Sequence, residues 1–271
     1  RNDEIYVYHP QDRVLDVNTM IVPSVTGRQV IVLLYDITQI RRLEKVRTDF
    51  VTNASHELRT PVTALKGFAE VLLDGAMEDP DTLKQFMEII YKESKRLEVL
   101  VNDILELSRV EQKQVPMNIE LINLSETITA CFKVIKAQAE NKKIKFRMYT
   151  SEPEAILLRT DKSRLEQVLN NLIMNAVNYT DDGGKISVMV EQINNEAVIH
   201  VSDTGIGIPE EDLNRIFERF YRVDKARSRN SGGTGLGLSI VRYLVQNLNG
   251  HIEVKSKLGI GTTFTLYLPL Q

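Results

Sequence analysis

The sequence predicts a multidomain protein made of a short β segment, a long helical hairpin and an α+β domain. Three observations predict this architecture. β-branched runs dominate residues 1–38, an apolar period of three and four residues begins near Ile40, and strand and helix patterns alternate after about residue 114. A chain of 271 residues is expected to form two or three compact units. We therefore expect domains at 1–38, 39–113 and 114–271.

The N-terminal segment has the composition of β structure. Val14–Val17 and Val30–Tyr35 are β-branched runs, and Thr26-Gly27 between them is a turn signal. Two or three strands alone make a poor independent domain. Since the chain also starts without Met, we expect it to be a piece of a longer protein.

The next segment predicts two long amphipathic helices joined by a short loop. Apolar positions recur from Ile40 to Ala54, and the first helix is expected to end near Asp74-Gly75. Pro61 lies inside this helix and is expected to bend it. Asp79-Pro80 has the form of a cap followed by a first-turn proline that opens the second helix. Because the apolar stripes are wide, we expect the hairpin to pair with a second copy into a four-helix bundle.

The C-terminal half alternates strands and helices, with the helices on one face of a sheet. Asn123 and Glu126 resemble a capping box that opens a helix carrying Cys131. The thiol shares the apolar face of that helix and is therefore expected to be core, not reactive. Strands are expected at about 143–149, 155–159, 185–193, 196–202, 251–256 and 262–268, and further helices at 162–178 and 236–248.

Composition narrows the functional classes. The net charge of −3 gives no global reason to expect nucleic-acid binding. A single cysteine excludes an intramolecular disulfide and fits a reducing cytoplasm. No apolar run reaches the roughly 20 residues needed to cross a bilayer, so any membrane attachment would lie in segments missing from this chain.

The first motif that could take part in a reaction is Ser55–Pro61, which contains a histidine beside a carboxylate. The imidazole of His56 changes charge near neutral pH and can act as a nucleophile. Glu57 is adjacent, and the Thr60 hydroxyl follows one helical turn later. Periodicity alone would favour a coiled-coil linker without chemistry, and the histidine motif argues against that interpretation. The electrophile that His56 would attack has to come from elsewhere in the chain.

Two downstream segments predict part of a nucleotide site. Asn171 and Asn175 are four residues apart on one helical face, and amide oxygens are suitable ligands for Mg²⁺. Asp203 follows a strand and precedes Gly205 and Gly207, so its carboxylate could accept a hydrogen bond from a purine amino group. Taken singly, the asparagines fit exposed or capping positions, and the Asp-Gly segment fits a tight turn.

A third segment, Gly233-Thr234-Gly235-Leu236-Gly237, is a glycine-rich loop that opens a helix. Backbone N–H groups at a helix N-terminus form an anion site. The segment does not follow a strand and lacks the ending of a P-loop, which argues against Rossmann and Walker sites. Arg222, Lys225, Arg227 and Arg229 precede it, either as a solvated face or as a lid over phosphates.

These motifs, in this order, resemble those of the sensor histidine kinases of two-component signalling. The resemblance covers the chain from about residue 40 onward. The sequence near the histidine is similar to that of PhoR-like and WalK-like kinases. Residues 1–38 resemble the C-terminal part of a PAS sensor domain. The matching segments are Ser55–Pro61 (H-box), Asn171–Thr180 (N-box), Asp203–Gly207 (G1), Phe217–Arg222 (F-box) and Gly233–Leu238 (G2).

The resemblance implies a dimeric helical hairpin and a Bergerat-type α/β sandwich that binds ATP and Mg²⁺. It implies autophosphorylation of His56, transfer to an aspartate of a cognate response regulator, and phosphatase activity that uses Thr60. Glu57 would orient the ring, and Arg222 would stabilise charge on the γ-phosphate. Adenine would lie near Asp203 and Tyr179, with Mg²⁺ at Asn175 and Asn171 nearby. The chain would be the cytoplasmic portion of a membrane-anchored kinase.

One departure from the family pattern and two alternatives remain open. Asn178 stands where many relatives carry Lys or His, which leaves one phosphate contact in doubt. The first alternative is a dimeric scaffold that binds ATP without catalysis. The second is an ATPase of the gyrase or chaperone type, for which Glu166 is the nearest upstream acid to Asn171.

Overall fold

A computed structural model describes residues 2–24, 27–111, 116–151, 156–224 and 233–270. The chain divides into two compact units, Arg1–Glu57 and Leu58–Gln271. Thr26 of the expected turn and the basic residues Lys225, Arg227 and Arg229 lie outside the described residues. None of the described helices is long and apolar enough to cross a membrane.

The first unit contains a three-stranded antiparallel meander, β1 (Asn2–Val7), β2 (Arg13–Ser24) and β3 (Gly27–Asp36), in the order β1-β2-β3. A helix, α1 (Thr38–Leu73), starts two residues after β3 and contains Pro61. The Asp36 carboxylate accepts hydrogen bonds from the amide and hydroxyl of Thr38, and these bonds lower the pKa of Asp36. β structure over residues 1–38, followed by a long helix, was therefore correctly predicted, although the position of β1 was not specified.

The second unit begins within α1 and continues into α2 (Pro80–Glu111). The Asp79 carboxylate accepts hydrogen bonds from the amide and hydroxyl of Thr82, as expected for a cap before a first-turn proline. Gly75 adopts the left-handed conformation with φ 115°, which a residue with a side chain would resist. The helical hairpin is confirmed, as are the predicted end of its first helix and the predicted start of its second.

The remainder of the second unit is an α/β sandwich. Its five-stranded sheet has the order β5-β7-β8-β10-β9, and only β5 and β7 are parallel. A small antiparallel ladder joins β4 to β6. The strands are β4 (Ile119–Asn123), β5 (Lys145–Thr150), β6 (Leu157–Asp161), β7 (Lys185–Ile193), β8 (Glu196–Asp203), β9 (His251–Lys257) and β10 (Gly261–Pro269).

Three helices, α3 (Leu124–Asn141), α4 (Lys162–Tyr179) and α5 (Gly237–Asn247), pack on the sheet. Asn123 caps α3 by accepting hydrogen bonds from the amides of Ser125 and Glu126, as predicted. Cys131 is 2% exposed, and burial raises the pKa of its thiol to about 11, so it is a core residue as expected. The core consists of the inward residues of the three central strands and the apolar faces of the helices.

Candidate nucleotide-binding site

A cavity of about 300 Å³ lies between α4, the end of β8 and the β9–β10 hairpin. This volume is at the lower end of the range for small-molecule sites. Five residues predicted from the sequence line it: Asn175, Tyr179, Asp203, Gly207 and Arg222. The residues that complete the described lining are Ala176, Ile206, Ile208, Ile216, Tyr221, Val223, Asp224, Leu238, Leu258, Thr262 and Phe264.

Asp203 is positioned by backbone hydrogen bonds at the C-terminal end of β8. Its carboxylate accepts a hydrogen bond from the Gly205 amide at 2.8 Å and another from the Thr262 amide. Burial outweighs these two bonds and raises the pKa of the carboxyl group. A half-buried acceptor in the wall of a cavity that also contains many apolar residues suits recognition of a ring amino group.

The turn after Asp203 is held against the end of α4. The Ile206 amide donates to the Tyr179 carbonyl at 3.1 Å, and a Cβ at Gly205 would lie 2.4 Å from the same oxygen. Lys142 secures this end of α4, because its Nζ lies 2.8–3.1 Å from the carbonyls of residues 177, 178 and 180. The chain direction at Asp203 is therefore fixed by the helix that carries Asn175.

The β9–β10 hairpin forms the opposite wall, a role the sequence reasoning missed. Its tip is joined to the turn by a 2.7 Å hydrogen bond from the Gly259 amide to the Ile206 carbonyl. Gly207 has φ 70°, and a Cβ there would lie 2.1 Å from the Lys257 carbonyl oxygen. The sequence signal that could have indicated this role is the segment Gly259-x-Gly261-Thr262, in which one glycine precedes the last strand and the other begins it.

Asn171 and the glycine-rich segment lie beside the cavity and do not belong to its described lining. The Asn171 amide donates to the Gln167 carbonyl, and its Oδ1 would be 3.0 Å from a Cβ at Gly237. A side chain at Gly237 would therefore crowd Asn171, and their close approach joins α4 to the start of α5.

The glycine-rich segment has contacts on two other sides. Gly235 has φ 75° and packs on Phe220, whose amide donates to the Gly235 carbonyl at 2.8 Å. The Thr234 hydroxyl donates to the Asp103 carboxylate of α2 at 2.5 Å and accepts from the Leu236 amide at 3.2 Å. Leu236 is fully buried.

His56, Glu57 and Thr60 lie within α1, with His56 and Thr60 exposed and Glu57 half-buried. Glu166, the acid considered for a water-activating ATPase, lines a different cavity of about 790 Å³ between α2 and the start of α4. Asn178 is half-buried and does not belong to the described lining of the nucleotide cavity.

Two family models match the chain. Residues 46–113 match the His Kinase A phospho-acceptor domain, and residues 160–271 match the histidine kinase-, DNA gyrase B- and HSP90-like ATPase domain. Together these matches cover the hairpin and most of the α/β sandwich. They describe a protein in which a phospho-acceptor helix pair is joined to an ATPase-type fold.

Similar proteins lead to the same family. Sensor protein SrrB of Staphylococcus aureus is 38% identical over 240 residues, which are 89% of this chain and 41% of that protein. The chain thus spans about two fifths of the length of the curated relatives it matches. The catalytic domain of histidine kinase ThkA is 30% identical, with a TM-score of 0.51, over 57% of this chain and 97% of that one.

ThkA in complex with the response regulator protein TrrA aligns with a TM-score of 0.69 and 25% identity, covering 100% of this chain and 79% of that one. The chain belongs to the sensor histidine kinases of two-component systems. Its helical hairpin and its α/β sandwich are the two domains that define that family.

Proposed function

We propose that the chain is a protein histidine kinase that uses ATP to phosphorylate His56 and passes the phosphoryl group to an aspartate of a response regulator. The observation that carries this proposal is the cavity, which brings Asn175, Tyr179, Asp203 and Arg222 together from distant parts of the sequence. The phospho-acceptor match over residues 46–113 includes the histidine.

Each residue of the cavity has a chemical task in this proposal. Asp203 accepts a hydrogen bond from the adenine amino group, and Tyr179 packs beside the base. Asn175 offers an amide oxygen to Mg²⁺, which takes its other ligands from phosphates and water. Arg222 balances charge on the γ-phosphate. Asn171 does not line the cavity and would support the site through its contact with Gly237 at the start of α5.

The glycine-rich segment completes the proposed site. Gly233, Thr234, Gly235, Leu236 and Gly237 precede or open α5, where backbone amides favour phosphate oxygens. The basic residues at 225, 227 and 229 remain lid candidates from the sequence alone.

The proposed chemistry is two successive phosphoryl transfers. A ring nitrogen of His56 attacks the γ-phosphorus, a P–N bond forms, and the bond to the ADP oxygen breaks. Glu57 is proposed to hold the imidazole tautomer that leaves this nitrogen unprotonated. An aspartate carboxylate of the response regulator then attacks the same phosphorus and the P–N bond breaks, which restores His56.

Two partners follow from this proposal. The response regulator is one, supported by the alignment with ThkA, whose structure was determined with its response regulator protein TrrA. A second copy of the chain is the other, because the hairpin leaves apolar residues such as Met87 and Val101 52% and 40% exposed.

Residues 1–38 are proposed to be part of a PAS-like input domain, and membrane anchoring is proposed to lie in segments outside this chain.

The histidine assignment is tested with γ-labelled ATP. His56→Gln should reduce incorporation of label to background while leaving the affinity for ADP within about twofold. The matched control is His251→Gln, because His251 is also exposed but lies on β9. The label should be lost in acid and retained in base, as expected for a P–N bond. Undiminished labelling of His56→Gln would refute the assignment. A wild-type chain that binds ADP but takes up no label would instead be the non-catalytic scaffold.

We also propose phosphatase activity toward the phosphorylated response regulator. Thr60 lies one turn after His56 in α1 and is exposed, so its hydroxyl can orient an attacking water. Thr60→Ala should lower the rate of regulator dephosphorylation by about tenfold to a hundredfold and keep the rate of autophosphorylation. Thr63→Ala serves as the control, because Thr63 is also an exposed threonine on the same helix. Equal dephosphorylation by wild type and Thr60→Ala would exclude this role.

A further inference from the structure

The hydroxyl of Ser256 on β9 connects three segments at the end of the cavity that contains Asp203. It lies 2.8 Å from the Ile208 amide, 2.9 Å from the Gly261 carbonyl and 2.8 Å from the Thr262 hydroxyl. Ile208 belongs to the turn after Asp203, whereas Gly261 and Thr262 begin β10. Ser256 itself does not belong to the described cavity lining.

The donors and acceptors in this cluster admit one arrangement that satisfies all three contacts. The Ile208 amide can only donate, and the Gly261 carbonyl can only accept, so the single hydroxyl hydrogen of Ser256 goes to Gly261. The contact with Thr262 must then use the Thr262 hydrogen. Because that hydrogen points to Ser256, the Thr262 oxygen has acceptor capacity left for the cavity that it lines.

Thr262 is also paired directly with Asp203 in the β8–β10 ladder. Its amide hydrogen-bonds the Asp203 carboxylate, which is itself an acceptor. The same end of the cavity therefore presents two acceptor groups and no hydroxyl donor from Thr262. A purine with a 6-amino group supplies a donor there, whereas a 6-oxo group would leave acceptors facing one another.

We propose that Ser256 is a positioning residue that holds the Thr262 hydroxyl as an acceptor and thereby favours 6-amino over 6-oxo purine nucleotides. The inference rests on the nucleotide site of the proposed function. It assigns to a residue outside the cavity a part of the base selectivity, beyond the direct contact at Asp203.

The test compares ADP with inosine diphosphate, whose base carries the 6-oxo group. Dissociation constants for both are measured by calorimetry with Mg²⁺ on the whole chain. Wild type should prefer ADP, and Ser256→Ala should reduce that preference by about tenfold, the factor for one hydrogen bond of about 1.4 kcal/mol. The matched control is Ser202→Ala. Ser202 makes the same kind of contact, 2.9 Å from Thr263, but Thr263 does not belong to the described lining.

Further variants and outcomes complete the test. Ser256→Thr retains a hydroxyl and should keep the wild-type preference, which a purely steric role would not predict. If circular dichroism shows that Ser256→Ala is unfolded, Ser256→Cys replaces it, and the same reduction of the preference for ADP is expected. A preference that stays at the wild-type value, with both affinities reduced equally, would overturn the inference. Failure of wild type to bind either nucleotide would refute the nucleotide site itself, and the inference with it.

Discussion

Asp203 is a carboxylate that the fold retains at a site where charge is unfavourable. Burial raises its pKa even though two backbone amides donate to it. A raised pKa means that the ionised group is less stable in the folded protein than in the unfolded chain. Stability lost in this way is expected at functional sites, where a residue is kept for binding.

Asp203→Asn should separate stability from binding. The amide oxygen can still accept from Gly205, and the burial cost of a charge disappears. We expect the thermal midpoint without nucleotide to rise by about 2–4 °C, which corresponds to about 1 kcal/mol, while ADP affinity falls at least about tenfold. Differential scanning calorimetry and titration calorimetry measure the two effects.

The pH dependence provides a control for the Asp203 prediction. Since the folded pKa is raised, the destabilisation by the ionised carboxylate is present above that pKa and disappears as the pH falls through it. The difference in midpoint between wild type and Asp203→Asn should therefore shrink from neutral to mildly acidic pH. A difference that is constant with pH, or a less stable variant at neutral pH, would contradict the burial argument.

The predictable part of the site consists of residues that carry their own local signal. Asp203 follows a β-branched strand and precedes two glycines, and Asn175 lies on a helix with a continuous apolar face, so both were predicted from the sequence. Leu258 and Thr262 enter the cavity because β10 pairs with β8, and that register is a tertiary property. The contact of Asn171 with Gly237 also depends on how α4 and α5 pack, which helical spacing alone does not reveal.

At the scale of elements, α2 belongs to both the hairpin and the surface on which the α/β sandwich rests. Leu100 and Leu107 are buried, and Asp103 on the same face accepts the Thr234 hydroxyl. Near its end, Glu111 lies 2.5 Å from Arg219, which also donates to Tyr243. Burial raises the pKa of Asp103, so the hydrogen bond from Thr234 satisfies a carboxylate that has lost much of its hydration.

Thr234→Val should destabilise the protein by about 1–3 kcal/mol at neutral pH, because a partly buried carboxylate loses its donor. The deficit should decrease as the pH falls through the raised pKa of Asp103, where the protonated group no longer needs that donor as strongly. Urea unfolding over a pH series measures it. Thr263→Val, which removes a contact to the neutral Ser202 hydroxyl, should cost less and vary little with pH. Equal, pH-independent deficits in the two variants would contradict this argument.

Elements with a long, regular apolar period were predicted within a few residues of their ends, and the short ones were not. Both hairpin helices were identified because each repeats its apolar pattern over many turns, and because a glycine or a proline marks its end at the loop. β4 was missed, since its five residues, Ile119–Asn123, have little signal of their own and pair with β6 across intervening sequence. β1 lies within the segment predicted to be β structure, but its bounds were not predicted, because they are set by its pairing with β2.

At the scale of the whole molecule, α2 carries an apolar stripe that runs beside the buried residues Leu100 and Leu107. Its residues repeat with heptad spacing and are exposed or half-buried within one chain. They are Leu83, Met87, Ile90, Leu97, Val101 and Ile104. An apolar seam of this length costs solvation energy unless another surface covers it, and heptad spacing is suited to a second helical hairpin.

Val101→Glu should therefore convert a dimer into a monomer. Val101 is 40% exposed and lies within the stripe, so a charge there would be buried at the seam between two copies. Val99 is 46% exposed but lies off the stripe, and Val99→Glu is the matched control that should remain dimeric. We expect the dimer dissociation constant of Val101→Glu, measured by sedimentation equilibrium, to rise at least about a hundredfold. ADP affinity should be unchanged, because the described lining of the nucleotide cavity contains no residue of α2. A dimeric Val101→Glu, or equal effects of both substitutions, would show that copies associate through another surface.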